Sequence, residues 1–502
     1  MANILLIDPP WYALQNIKGW KVSYGLASVA AVLKKNGHNC VIYDGEFGLL
    51  ESTAVEENII IDFDLYKKNL EDGSFIWQET SKRIGRIVSD LNPSIVGLTI
   101  PTAKYGIAIK IANHIKKSFP FITIVAGGPH PTILPLETIK EPSIDIVVKG
   151  EGELTFLELV SAIKNRTELN NVLGITFKSN SIVYDNPDRP YITDLDNLPF
   201  PAWDLIYEFD KHEADQFGAI FTSRGCPYRC IFCASHKIWS RKTRYMSADR
   251  VVSELQHASQ KYKTKYFRFN DDTFTLNSGR VMTICELIKK SKIDIKWNCE
   301  VRADLCNYEI LAIMKSAGCE RVNIGIESGN PEILKYIKKD ITLKQIHKAF
   351  SAIKKAGLEV MAYFMIGFPV ETVRQIKDTI KLMNRFEIDR PCWSIVTPYP
   401  GTELYNEALQ AGLMPSQIDW SYFFHHSPTV HISKNISYPD WVRIISDIQK
   451  KINKESIRRR RRMEVVRIVT MVIFHPVVFF TKVYKKLSSF KIGYNQKMQR
   501  KE

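Results

Sequence analysis

The chain lacks any apolar stretch approaching the roughly 20 residues of a bilayer-spanning helix. Its uncharged segment near the carboxyl end, Ile468 to Thr481, is 14 residues long and is interrupted by His475-Pro476. Cysteine is scarce as well, nine in 502 residues, too few and too irregular for a disulfide-stapled scaffold. The first apolar run, NILLID, leads into Asp8-Pro9-Pro10-Trp11 where a nicotinamide or flavin site would need glycines. Two prolines remove N–H donors and stiffen the turn, which excludes close approach of a pyrophosphate. The amino-terminal MANILLIDPPWY carries no charged-then-apolar signal ahead of a small-residue cleavage site, so a cytoplasmic location with reduced thiols is expected.

With 45% hydrophobic and 25% charged residues, the composition is that of an average globular protein and is neither disordered nor collagen-like. The length predicts two or three domains. Residues 451 to 502 hold 15 Lys and Arg against 3 acids, +12 of the formal +15, which leaves +3 on the first 450 residues. The basicity belongs to the tail, not to the body.

Along residues 3 to 160, apolar runs (NILLID, CVIYDG, SIVGLTI, ITIVAGG, DIVVKG) alternate with helical patterns such as GLASVAAVLKKNG. That alternation predicts a doubly wound, Rossmann-like parallel sheet of five strands, with a ligand at the strands' carboxyl ends. Residues 1–170 are expected to form this domain and 171–212 a linker. The linker contains two short strands and then four prolines, Pro187, Pro190, Pro199 and Pro201, an extended and semi-rigid composition. From 213 to 410 six strand-helix units follow, beginning at FGAIFTS and ending at SIVTPYP. This is the count of a partial TIM-like barrel with its site at the strand ends. A helical extension (411–457) and a basic amphipathic tail (458–502) complete the expected α/β architecture.

Three cysteines stand together after the first barrel strand, in Cys226-Pro-Tyr-Arg-Cys230-Ile-Phe-Cys233. The other six (Cys40, Cys285, Cys299, Cys306, Cys319, Cys392) are scattered singly and read as core filling. Three thiolates on one loop can hold three irons of a cubane cluster and leave the fourth open. Zinc is the structural alternative, and it needs a fourth ligand, for which His236 is the nearby residue.

Strand alternation puts Asn298, Glu300 and Arg302 on one face, and likewise Asn323 and Glu327. Charges on the inner face of a barrel are costly unless they bind a ligand or each other. A structural Glu300–Arg302 pair is therefore one reading and a lined site the other. In the Rossmann-like part, Gly127-Gly128 at the end of the fourth run reads either as a tight turn or as an opening for a large flat ligand.

CxxxCxxC with Phe232 before the third cysteine, at the first strand of a βα barrel, resembles the radical S-adenosylmethionine (SAM) superfamily. FNDDTFT, WNCEVRAD, AGCERVNIGIESGNPEIL, YFMIGFP and TPYPGTELY are similar to motifs of its Elp3/MiaB-like branch. The resemblance implies that Cys226, Cys230 and Cys233 bind a 4Fe-4S cluster whose open iron is chelated by SAM. It also implies that Phe232, Asn270, Asp271, Asp272, Glu327 and Gly367 contact SAM, with Asn270-Asp271-Asp272 replacing the family's GGE motif. Glu300, Arg302 and Tyr363 are the expected catalytic residues.

A Rossmann-like domain ahead of such a barrel resembles the cobalamin-binding branch. Asp8, Thr99, Gly127 and Gly128 then become corrin-site residues. The Asp-x-His-x-x-Gly motif that supplies a cobalt ligand is absent, so cobalamin is expected without a protein histidine, and His130 reads as a loop hydrogen-bonder.

The function this resemblance implies is cobalamin-dependent methylation of an unactivated carbon, with SAM used as methyl donor and as radical source. A one-electron reductant such as flavodoxin or ferredoxin is expected. An oxidative cyclase, like the anaerobic magnesium-protoporphyrin monomethyl ester cyclase, or a ring-rearranging enzyme is the alternative. A tRNA methylthiotransferase is more remote, because its family has three further cluster cysteines in the amino-terminal domain and here that domain has Cys40 alone. Arg458 to Arg462 beside the short apolar segment suggest a helix lying on an anionic membrane surface and a hydrophobic small-molecule substrate. An RNA-binding tail and a core helix are the competing readings, and nucleic acid is not an expected partner.

Overall fold

The computed structural model of the chain describes residues 1–17, 22–49, 63–415, 417–425, 427 and 430–450. Two compact units divide the chain, residues 1–437 and 438–502. Of the second unit only 438–450 are described, and they are helical. The basic tail therefore lies outside the described residues, and no helix among the described ones is long and apolar enough to cross a membrane.

The five apolar runs of the first third become β1 (Asn3–Asp8), β2 (Asn39–Asp44), β3 (Ile95–Thr99), β4 (Thr123–Gly127) and β5 (Ile146–Val148). They pair in parallel in the order β2-β1-β3-β4-β5. The strands are buried on both faces, with Ile4, Leu5, Ile7, Ile95, Val96, Ile124 and Val147 inaccessible to solvent, which is why they read as continuous β-branched runs. The chain order reverses between β1 and β3, and the crevice at such a switch point is where doubly wound sheets bind ligands.

The expected linker begins later than its sequence implied. Ile175–Ser179 (β6) adds antiparallel to β5, and Ile182–Asp185 (β7) adds antiparallel to β6, so both extend the first sheet to seven strands. Asn180 and Ser181 join them with φ of 51° and 64°, the doubly positive backbone of a tight hairpin turn. The proline-rich connector is confined to the residues after Asp185.

The second sheet holds six parallel strands in the order β15-β14-β13-β12-β11-β8, the expected partial barrel. Its first strand, β8 (Ala219–Ile220), is brief because the chain then leaves the sheet. Ser223–Arg224 (β9) pairs antiparallel with Arg244–Tyr245 (β10), and the cysteine loop lies between them. The remaining strands are β11 (Tyr266–Phe269), β12 (Lys296–Val301), β13 (Cys319–Glu327), β14 (Glu359–Ile366) and β15 (Arg390–Ile395). β15 starts and stops earlier than SIVTPYP suggested. Pro398 and Pro400 have no N–H for a ladder, while Arg390 to Ile395 matches Met361 to Ile366 of β14 residue by residue.

Alternation sorts the two faces of this sheet. Phe267, Phe269, Trp297, Cys299, Val322, Ile324, Val360 and Phe364 are at most 2% exposed and form the core beneath the helices. The alternate positions Tyr266, Arg268, Asn298, Glu300, Arg321, Asn323 and Tyr363 form a polar inner face.

Gly128 adopts φ 96°, ψ −169°, a region essentially restricted to glycine. A Cβ there would meet Thr99 Oγ1 at 3.0 Å and Ile100 N at 3.1 Å, whereas a Cβ on Gly127 would have Val148 O nearest at 3.8 Å. Gly128→Ala should therefore lower unfolding free energy by about 1–3 kcal/mol, and Gly127→Ala by about 0.5 kcal/mol or less. Denaturant titrations that give equal losses would contradict this geometry.

Candidate active site

The cysteine loop leaves β9 and ends in the short helix Ser235–Ile238. Cys226, Cys230 and Cys233 are free and half-buried. Burial raises all three thiols, Cys233 up to about 12, so in the metal-free loop they are protonated and metal binding must displace their protons. Two buried cations face Cys230. Lys339 is one, and it pairs with Glu327 at 2.8 Å. Burial opposes its charge, but the Glu327 carboxylate more than offsets this and holds its pKa above the ordinary lysine value. The other cation is Arg302, whose guanidinium lies 3.4 Å above the centre of the Tyr228 ring. Among the described residues no three His, Cys, Asp or Glu side chains converge as ligands of one ion. His236 turns its Nδ1 to the Cys233 carbonyl at 3.2 Å. This donor set suits three separate irons of a cubane, with cations balancing the thiolates, better than a single zinc.

Several expected contacts are placed differently. Asp271 is buried, and its carboxylate accepts the Thr222 N–H (2.6 Å), the Thr222 hydroxyl and the Ser223 N–H (3.1 Å). These three bonds tie the loop after β11 to the end of β8, so Asp271 has a structural partner set of its own. Asp272 accepts from Ser235 Oγ, and Asn270 is half-buried beside it. Arg302 does not pair with Glu300. Its Nε donates to Asp304 at 3.0 Å and its Nη2 to the Lys339 carbonyl at 2.7 Å, with the side chain 5% exposed. Enclosed and held by Asp304 and the Lys339 carbonyl, it stands against the cysteine loop.

The alternation assumed for Asn323 and Glu327 is broken. The register shifts between Gly325 and Glu327, and Glu327 has φ 68°. Its carboxylate and Lys339 Nζ lie over Gly325, where a Cβ would meet them at 2.5 and 2.8 Å. A side chain at 325 would have to displace the ends of that pair. Near it, Lys339 Nζ is 5.9 Å from the Phe232 ring centre. Gly367 and Phe368 donate their N–H groups to Glu371 at 2.7 and 3.2 Å, and burial pushes the Glu371 carboxyl up to about 7.

On the inner face Glu300 accepts from Arg268 Nη2 at 2.9 Å and Asn323 Nδ2 at 3.0 Å. Asn298 Nδ2 donates to Tyr266 OH at 2.9 Å, and Arg321 Nε to Asn323 Oδ1 at 3.1 Å. Tyr363 is half-buried among Glu300, Arg268, Cys392 and Arg321, and its phenol is raised chiefly by burial. Arg268 was not anticipated, although its place two residues before Asn270 in KYFRFND was the available signal.

At the switch point of the first sheet, Lys104, on the loop after β3, reaches across to Asp8 at the end of β1. Asp8 aligns with Asp44 of β2, and Glu46 accepts N–H groups from Trp11, Tyr12 and Ala13. Thr99 and Gly128 line the same edge. Tyr12, on the loop after β1, lies within electrostatic reach of Arg268. His130 is buried, with Nδ1 on Thr102 Oγ1 at 3.2 Å, and its ring packs against Tyr105 and Trp420. Burial lowers its pKa to about 3.

A thiol loop at the first strand of a parallel half-barrel, joined to a doubly wound sheet, is the layout that two family models match in this chain. Radical SAM superfamily matches residues 220–383, and B12 binding domain matches residues 13–160. The chain is similar to an uncharacterized methyltransferase, PH0819, of Pyrococcus horikoshii, at 41% identity over 338 residues, covering 67% of this chain and 73% of that protein. It is 25% identical over 428 residues to an anaerobic magnesium-protoporphyrin IX monomethyl ester cyclase of Synechocystis sp., covering 84% and 80% of the two chains. The solved structure of the radical SAM methyltransferase TsrM from Kitasatospora setae, with cobalamin and a 4Fe-4S cluster bound, shares the fold. Its TM-score is 0.63 at 15% identity, over 82% of this chain and 75% of that one. The protein belongs to the cobalamin-binding radical SAM enzymes, and its cofactors are a 4Fe-4S cluster, SAM and cobalamin.

The acidic cluster in the crevice makes a pH-dependent contribution. Burial, then the negative charges of Asp8 and Glu46, raise the Asp44 carboxyl from 3.8 to about 7. The folded state holds a proton that the unfolded chain releases, so stability falls as pH rises between about 4 and about 7, and the loss is complete above that. Asp44→Asn keeps the acceptor for the Glu46 N–H. It should flatten this slope and unfold at higher denaturant than wild type at pH 8. Parallel stability curves from pH 4 to 8 would contradict the assignment.

Proposed function

We propose that the protein methylates an unactivated carbon of a small, largely apolar molecule that carries a hydrogen-bonding or anionic group. The reading is carried by one observation: Arg268 Nη2 pairs with Glu300 at 2.9 Å on the inner barrel face and both side chains stay partly exposed, a polar platform suited to holding a substrate. The 41% identity to a methyltransferase supports the same outcome. When bound, the cluster with SAM supplies a hydrogen-abstracting radical, and cobalamin a transferable methyl group. The chain's part is to bind and orient. Arg268, Glu300 and Asn323 form a hydrogen-bonded platform, and the protonated Tyr363 phenol is a donor toward it. Cys226, Cys230 and Cys233 would hold the cluster, with Phe232, Glu327 and Gly367 beside SAM and Asp8, Thr99, Gly127 and Gly128 along the corrin. A one-electron donor such as flavodoxin or ferredoxin completes the reading.

The cyclase outcome is the second reading, favoured by similarity to a cyclase over most of both chains. Comparing metabolites of cells with and without the protein separates the two. Methylation produces pairs differing by one CH₂ unit, and cyclisation produces pairs differing by hydrogen or oxygen.

Anaerobically reconstituted protein should bind about four irons and copurify with cobalamin. Alanine at Cys226, Cys230 and Cys233 should remove the iron while cobalamin stays. The cob(II) electron paramagnetic resonance (EPR) spectrum should show no nitrogen coupling from a lower axial ligand. Stoichiometric zinc, or nitrogen hyperfine structure from a histidine, would overturn the reading.

Presentation of an apolar substrate at the cytoplasmic membrane surface is the role we propose for the tail, from its composition. A polybasic run contributes about 1 kcal/mol per Lys or Arg near an anionic surface, and Val465 to Tyr484 adds apolar insertion. Full-length protein should sediment with anionic vesicles, be partly released by high salt and become soluble when truncated after Asn453. Absence of vesicle binding would return the tail to RNA or to the core.

A further inference from the structure

A buried network of four charges joins the cysteine loop to the first sheet. Arg224 ends β9, two residues before Cys226, and its side chain is 4% exposed. Its Nη1 meets Glu151 Oε1 at 2.7 Å and its Nη2 meets Glu153 Oε1 at 2.6 Å. Both glutamates follow β5, on the carboxyl edge that also carries Asp8, Thr99 and Gly128. Glu153 accepts in addition from Ser28 Oγ at 2.9 Å, on the helix Tyr24–Lys35. Glu151 accepts from Arg244 Nη1 at 2.9 Å and from the Ile192 N–H at 2.6 Å. Arg244 is the ladder partner of Arg224. Trp239 and Tyr191 lie 5.1 and 4.9 Å from the two guanidinium groups.

Two cations and two anions leave the network neutral. An apolar contact of the same size would hold the parts together but would tolerate sliding, because hydrophobic burial is non-directional. A two-pronged guanidinium gripping one carboxylate with each prong fixes both direction and distance. The carboxylates come from one domain and the guanidinium from the strand that launches the cluster ligands.

We propose that Arg224 is a positioning residue that, through Glu151 and Glu153, keeps the Cys226–Cys233 loop in register with the cofactor-binding edge of the seven-stranded sheet. This rests on the reading that cluster and cobalamin serve one reaction. Its role is to hold one separation between the two sites, and not to supply stability alone.

The test uses full-length reconstituted protein with the double substitution Arg224→Met and Glu153→Leu, which leaves the Glu151–Arg244 pair neutral. Apolar replacement of a buried ion pair is often neutral for stability, so the unfolding midpoint, iron content and cobalamin content should match wild type. Pulsed dipolar EPR between cob(II)alamin and the reduced cluster should give a narrow distance distribution in wild type and a broadened one in the variant. The yield of S-adenosylhomocysteine relative to 5′-deoxyadenosine should fall about tenfold. An unchanged distribution with an unchanged product ratio overturns the proposal. If the double variant does not fold, Arg224→Lys keeps the charge and loses the fork, and the same two readouts decide. A wild-type protein that binds no cobalamin would instead defeat the functional reading. The tether itself is then judged by hydrogen exchange, where faster exchange in the variant confined to residues 219–233 supports it and uniform or absent change overturns it.

Discussion

Charge removed from water must be answered by charge, and the contact of Arg224 with Glu151 and Glu153 imposes that condition where the two halves of the enzyme meet. With all four side chains of the network buried, no solvent is at hand to replace a lost partner. Separation or sliding would strand an ion in a low-dielectric interior, a penalty of several kcal/mol. The loop that begins two residues later inherits a fixed origin. So does the short strand β8, which Asp271 ties to the loop after β11 through three hydrogen bonds.

The parallel pairing of both sheets adds a second constraint. Among the parallel strands of each, every loop that follows a strand emerges on the same carboxyl edge, so residues far apart in sequence collect there without specific recognition between them. Asp8, Thr99 and Gly128 gather on one edge, and Cys226, Asn270 and Glu327 on the other. The electrostatics of the two edges differ. Lys339 and Arg302 lean on the cysteine loop, suited to thiolates and an anionic cluster. Among the described residues, Asp8, Asp44 and Glu46 outnumber the cation Lys104 beside them, and burial pushes the Asp44 carboxyl up to about 7.

The polar inner face of the barrel carries the largest consequence for function. Arg268, Glu300, Asn298, Asn323 and Arg321 are joined in a chain of hydrogen bonds, which offsets part of the cost of burying them, while Arg268 Nε has no partner among the described residues. A site lined this way favours a substrate with at least one polar handle. A wholly apolar molecule would bury the half-exposed Arg268–Glu300 pair without answering its remaining hydrogen-bonding capacity.

Much of this architecture was legible in the amino-acid order because it depends on local patterns. Continuous β-branched runs specified parallel strands, period-two alternation put Asn298 and Glu300 on one face of β12, and the 3-then-2 cysteine spacing singled out the loop after β9. What the order of residues left open was decided by partners distant in sequence. Alternation offered Glu300 only Arg302 on its own strand, and the neighbouring strand supplied the partner it has, Arg268. Asp271 stands in a motif that suggested ligand contact, and the fold gives its carboxylate three hydrogen bonds from the end of β8. Glu327 leaves its expected face because a bulge and Lys339, 12 residues on, redirect it. Strands β6 and β7 joined the first sheet because its edge offered unpaired backbone groups, which no property of residues 171–185 themselves reveals. Periodicity records which face a residue takes, whereas the identity of its partner depends on how whole strands are aligned, and only the folded chain sets that alignment.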